Sequence, residues 1–172
     1  MTISLYDASV GRFLQTLGAV SGFLERGRVH CAENGVDPDE IAQARLWSDM
    51  LPLSSQVVSA AHHSLGAIEG VKQGVFSPPQ WAEQGYGELQ ALIAQTLQTL
   101  QQLSPADVDG LEGKDVVFSA GERRIPFVGR DFLLSFSLPN FYFHATTAYD
   151  ILRSKGVPLG KRDYIGQLKI KA

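Results

Sequence analysis

Apolar residues spaced three and four apart run through most of this chain, and that spacing suits packed helices better than any other architecture. From Ser4 to Glu33, Tyr6, Val10, Phe13, Leu14, Leu17, Val20 and Leu24 fall on one stripe, predicting a helix about 45 Å long at 1.5 Å per residue. Asn34-Gly35 stops it, because both residues tolerate the left-handed backbone at a helix C-terminus. Asp37 is the predicted N-cap of a second helix, with Pro38 in its first turn and acids near its positive end. That helix carries Ile41, Ala44, Met50, Leu53, Val57, Ala60, Ala61, Leu65, Ile68 and Val71, and Pro52 should kink it near Asp49–Pro52.

A breaker at Ser77-Pro78-Pro79 separates a third helix, from about Gln80 to Leu103, with Leu89, Leu92, Ile93, Leu97 and Leu100 inward and glutamines outward. Asp107 to Gly113 reads as a loop. From Asp115 to Gly129 the period changes to two, with Val116 and Phe118 on one side of Ala120-Gly121-Glu122 and Ile125 and Phe127 on the other. This is a hairpin signal. The last helix starts near Gly129-Arg130-Asp131, contains Pro139 as a second predicted kink, and ends at Lys155-Gly156. The expected fold is all-α: a four-helix bundle with a small hairpin before its last helix, in a single domain over residues 1–172.

Composition limits function more than it names it. A chain of 172 residues, 44% hydrophobic and 19% charged, is globular and long enough to bury its own core. A net charge of −3 argues against a nucleic-acid partner that covers the whole surface. No apolar run reaches the roughly 18 residues of a membrane span, and the first residues lack the pattern of a secretory leader. Cys31 is the single cysteine, so no internal disulfide or Cys-x-x-Cys metal site exists, and a cytoplasmic location is expected. The segment from Arg153 onward holds six Lys/Arg and one acid, which reads as a solubilising tail or one folded onto the acidic body.

Several motifs fail on their chemistry. The run GVPLGKR (Gly156 to Arg162) has one residue too few between its glycines for a phosphate loop, and an arginine where a hydroxyl must hold Mg²⁺. His30-Cys31 point about 100° apart on a helix, so the thiol reads as inert core. His62-His63 are adjacent as well, cannot share a metal by i, i+4 spacing, and read as surface histidines.

One constellation remains. Asn140 and His144 are i, i+4 on the last helix, directly after Pro139, and Asp49 precedes Pro52 with Ser54, Ser55 and Gln56 following. Two kinked helices leave space between them, where bundles hold small molecules and metals. An imidazole, a carboxylate and a carboxamide would supply acid–base chemistry or ligation of a hard ion. The plain alternative is structural: His144 hydrogen-bonds across the core, and Asp49 pairs with Arg45.

The segment LPNFYFHATTAYDILRSKGVPLGKRDYIG (Leu138 to Gly166), with Tyr6-Asp7-Ala8-Ser9-Val10, Ala44-Arg45-Leu46, Asp49-Met50 and Pro52-Leu53, resembles a bacterial and fungal family of unknown function grouped with the DinB/YfiT-like metalloenzymes. The resemblance covers nearly the whole chain. It implies a DinB-like four-helix bundle, a homodimer, and a pocket near one end of the bundle that takes a small-molecule ligand. It also implies a divalent metal held by three histidines, one on the second helix and two at i, i+4 on the last. His144 matches the second of that pair and is the candidate metal ligand. Asn140 stands at the first, and the second-helix position falls around Asp49 to Gln56, where no histidine occurs. The expectation is therefore an altered or lost metal site, with His144 as acid/base, Asp49 as its charged partner and Asn140 as an orienting amide. The alternative is a non-catalytic dimeric binding or scaffold protein.

Overall fold

The computed structural model describes residues 3–80 and 82–171. Its longest helix, α2 (Val10–Asn34), buries Phe13, Leu17, Val20, Phe23 and Leu24 and ends at Gly35, whose φ of 65° is the expected left-handed cap. A four-residue helix, α1 (Leu5–Ala8), precedes it, so the first predicted helix is interrupted at Ser9. Asp37 caps α3 (Pro38–Ala42) by accepting from the backbone N–H of Asp39.

The second predicted helix is where sequence and structure part. Helix α3 stops at Ala42, residues 43–52 are irregular, and Pro52 is the N-cap of a new helix, α4 (Leu53–Ala61). The predicted kink at Pro52 is therefore a boundary: the ring suits a helix start, where its missing N–H costs nothing. Helix α4 runs through a π-turn, π1 (His62–Gly66), into α5 (Ala67–Gln73). Helix α6 (Tyr86–Gln101) is the third rod, and Ser104-Pro105 opens a short helix, α7 (Pro105–Asp109), with its own capping box, in part of the predicted loop.

The hairpin forms as read. Strands β2 (Asp115–Ala120) and β3 (Arg123–Val128) pair antiparallel around a two-residue turn in which Gly121 has φ 57°, and β1 (Val75–Phe76) adds a parallel edge beside β2. The fourth rod is continuous from residue 129 to 154: α8 (Gly129–Asp131), a second π-turn, π2 (Phe132–Ser137), and α9 (Leu138–Ser154). Pro139 lies in the first turn of α9, just after the widened turn. The rods α2, α4–α5, α6 and α8–α9 form the bundle, with α4 packed along α9 and α2 along α6.

The basic tail folds back, but the pairing that holds it has the opposite sign to the one expected. In α10 (Lys161–Ile165), the tail's single acid, Asp163, accepts from Arg26 of α2 at 2.7 Å, and Gln15 donates to the Ile165 carbonyl.

Helices α2 and α6 meet closely at Gly27. Tyr86 is buried and donates its hydroxyl to the Leu24 carbonyl at 2.8 Å, and a Cβ at Gly27 would collide with that hydroxyl oxygen. Gly27→Ala should therefore destabilise the bundle by about 1–3 kcal/mol, read as a lower thermal midpoint. An unchanged midpoint would show that Tyr86 can move aside freely.

Candidate functional site

The two π-turns face each other across the α4–α9 interface, and the site grows out of them. A π-turn inserts one extra residue, widens the helix and frees carbonyls that must find other donors. In π1 the Ser64 hydroxyl reaches the carbonyls of Ala60 and Ala61, at 2.8 and 2.9 Å. The Ser137 hydroxyl, at the end of π2, donates to the His63 carbonyl at 2.9 Å and so ties the two distorted turns together. After π2, Pro139 has no N–H to give, and the Asn140 carboxamide bends back to donate to the Phe136 carbonyl at 2.7 Å. The widened turn also gives the proline ring room.

Helix side chains lean toward the N-terminus of their own helix, so on two antiparallel rods His63 and His144 lean toward each other. Their ring centres are 5.7 Å apart with planes 17° from parallel. His63 is 8% exposed and His144 half-buried. Each ring is held by one nitrogen. Gln56, 2% exposed, donates its amide nitrogen to the Leu51 carbonyl at 3.0 Å, which fixes the amide's orientation and turns Oε1 toward His144 Nδ1 at 2.8 Å. An amide oxygen only accepts, so His144 carries its proton on Nδ1. The same logic applies to His63. Ser137 has one hydroxyl hydrogen, already given to the His63 carbonyl, so at 3.2 Å its oxygen accepts from His63 Nδ1. Both rings are thus Nδ1–H tautomers, and each keeps a lone pair on Nε2.

Burial favours the neutral ring. It pushes the His144 pKa down to about 4, and burial together with the neighbouring His144 and His62 pushes His63 down to about 3. His62 completes the row: half-buried and lowered by burial, it stacks on Phe76 with ring centres 4.4 Å apart and sends Nε2 to the Ser77 carbonyl at 2.7 Å. Phe136 lies beside His63, and Phe143, 57% exposed, meets the His144 ring edge-on.

Against the sequence expectations, His144 and a carboxamide of the second rod do converge, and that amide is Gln56. Asn140 is one turn from His144 but is committed to its own helix backbone. Asp49 is exposed in the irregular 43–52 segment and is not brought to the ring. Nor does Arg45 pair with it, since the Arg45 guanidinium donates to the Met50 carbonyl. The reading of His62-His63 as surface residues is corrected: His63 is core. Adjacency excludes a shared metal within one helix but says nothing of whether either ring is buried. The useful signal was the flanking Ala60, Ala61 and Ile68, which mark that stretch as inward-facing. The buried, inert reading of Cys31 stands: the thiol is 1% exposed and burial raises its pKa.

The donor set does not fit a three-histidine metal site. Among the described residues no three His, Cys, Asp or Glu side chains are grouped closely enough to hold an ion. His62 spends Nε2 on Ser77, and the Asn140 carboxamide is turned to Phe136. A groove of 780 Å³ lies elsewhere, between α2 and the chain from Arg162 to Lys169, and includes none of these histidines.

A family model described as a domain of unknown function, DUF1993, matches residues 5–165. The crystal structure of a DinB family member protein from Shewanella denitrificans superposes with a TM-score of 0.80 at 28% identity, covering 98% of this chain and 95% of that one. No curated protein matches. Among the described residues no helix is long and apolar enough to cross a membrane.

The folded state holds both imidazoles below the ordinary value near 6.5, whereas the unfolded chain releases them to it. Below that value the unfolded chain binds more protons, so stability is full above about pH 6.5 and falls as the pH drops through about 4. The thermal midpoint should decline over this window, and less steeply in His144→Phe. Identical slopes in the two proteins would contradict the assignment.

Proposed function

The chain belongs to the DUF1993 family of DinB-like bundles, and from that premise we propose that it binds a small molecule through the Nε2 lone pairs of His63 and His144. The observation that supports this most directly is the hydrogen-bond relay from the Leu51 carbonyl through Gln56 to His144 Nδ1, which leaves the far side of the ring an obligate acceptor. An imidazole with a pKa near 4 is a weak base at neutral pH. The pair therefore recognises an O–H, N–H or S–H donor first, and takes its proton only from an acidic ligand. Phe136 and Phe143 offer apolar surface beside the acceptors, which suits a compact, partly aromatic ligand. In this reading Gln56 orients His144 and Ser137 orients His63, while Asn140 stays committed to the Phe136 carbonyl.

Phenol and toluene separate recognition of a donor from simple apolar binding. Titrated into ¹⁵N-labelled protein, phenol should shift the resonances of His63, His144 and Gln56. Toluene should bind the same place more weakly by roughly two- to tenfold, the worth of one hydrogen bond. In His144→Phe the preference for phenol should fall, and in the double variant His63→Phe/His144→Phe it should vanish. Equal binding of both probes in the wild-type protein would remove the acceptor role.

A separate observation favours a dimeric scaffold. Trp47 is 71% exposed, and Leu46 and Leu51 of the same segment, with Phe143 on α9, also carry apolar side chains in solvent. A second copy covering these residues would make the protein a homodimer, and the polar cluster would then fix helix register. Sedimentation should give the mass of two chains, falling to one in Trp47→Asp. A wild-type mass of one chain rules this out.

A further inference from the structure

We infer that Asn140 is the residue that keeps the histidine pair from being a metal centre, and that the single substitution Asn140→His completes a three-imidazole site. The inference rests on the tautomers assigned above, which the proposed ligand binding also uses.

Each of the two imidazoles is held from behind as a ligating histidine is. Ligating histidines are typically fixed by a hydrogen bond from the non-ligating nitrogen to an oxygen acceptor, and His63 and His144 have such bonds to Ser137 and Gln56. With a metal–nitrogen distance of about 2.1 Å, two imidazoles on one tetrahedral ion have ring centres roughly 5 Å apart. The 5.7 Å separation here is within a small adjustment of that.

The third donor is missing, for a visible reason. Position 140 lies one helical turn before His144 on the same face of α9, the side toward which the His144 ring leans. Its present occupant gives its amide nitrogen to the Phe136 carbonyl, whose helical environment the adjacent π-turn and Pro139 have disturbed. The remaining amide oxygen is a neutral, weak ligand for a first-row ion. No other residue makes up the set, because among the described residues no third His, Cys, Asp or Glu joins the pair. The resemblance suggested two replaced ligands. With the His63 ring of the second rod 5.7 Å from His144, this inference needs only one.

Zinc binding by the full chain tests this. Wild-type protein desalted after exposure to Zn²⁺ should retain no stoichiometric metal by elemental analysis. Asn140→His should retain one zinc per chain, bind it more tightly by a factor of about ten or more in calorimetry, and show a zinc-dependent rise in thermal midpoint. Adding His63→Ala or His144→Ala to Asn140→His should return all three readings to those of the wild type. Stoichiometric zinc in the wild type, or a folded Asn140→His that binds no better, overturns the inference. If Asn140→His does not fold, the isosteric Asn140→Asp decides: tighter zinc is expected, and unchanged affinity overturns. The phenol experiment uses metal-free wild-type protein, so either idea can fail without the other.

Discussion

A short relay of hydrogen bonds governs the α4–α9 interface: the Leu51 carbonyl orients Gln56, and Gln56 orients His144. A buried amide must satisfy both of its ends, and here the backbone dictates which end faces which way. Because the carbonyl takes the N–H₂, the ring meets an oxygen and must protonate Nδ1. Ser137 imposes the same state on His63 through its single hydroxyl hydrogen. Two independent restraints therefore produce one outcome: a pair of neutral imidazoles whose free lone pairs are the reactive feature of the interface.

The π-turns make this arrangement possible. Each widened turn shifts the side chains that follow by a residue's worth of rotation and leaves carbonyls for side-chain donors to satisfy. Ser64, Ser137 and Asn140 fill that need, and one of them crosses between the rods. The polar residues at this interface are thus partly structural. What exceeds structural need is the pair of Nε2 atoms, which take part in no hydrogen bond among the described residues.

Much of the fold was legible because it rests on local chemistry: Gly35 at a left-handed cap, Asp37 at an N-cap, Gly121 in a tight turn, and apolar stripes with helical spacing. Prolines were less reliable guides. Both were read as kinks, yet Pro52 starts a helix and Pro139 follows a distortion whose extra residue leaves no mark in the hydrophobic period. The same blind spot hid half of the site. His144 and the Gln56 region were visible as polar groups near prolines, but His63 is brought to them by a π-turn and by the antiparallel lean of two helices. Neither can be read from spacing along one helix. Asp49, chosen for its nearness to Pro52 in sequence, moved into solvent once that proline proved to be a boundary.

The tautomeric state of the two imidazoles tests the central claim most directly. Long-range ¹H–¹⁵N correlation spectra of the protein at neutral pH should show His63 and His144 each with a protonated Nδ1 and an unprotonated Nε2. Either ring found as the Nε2–H tautomer or as imidazolium would mean that the relay does not hold the pair in its acceptor form, and the functional reading built on it would fall.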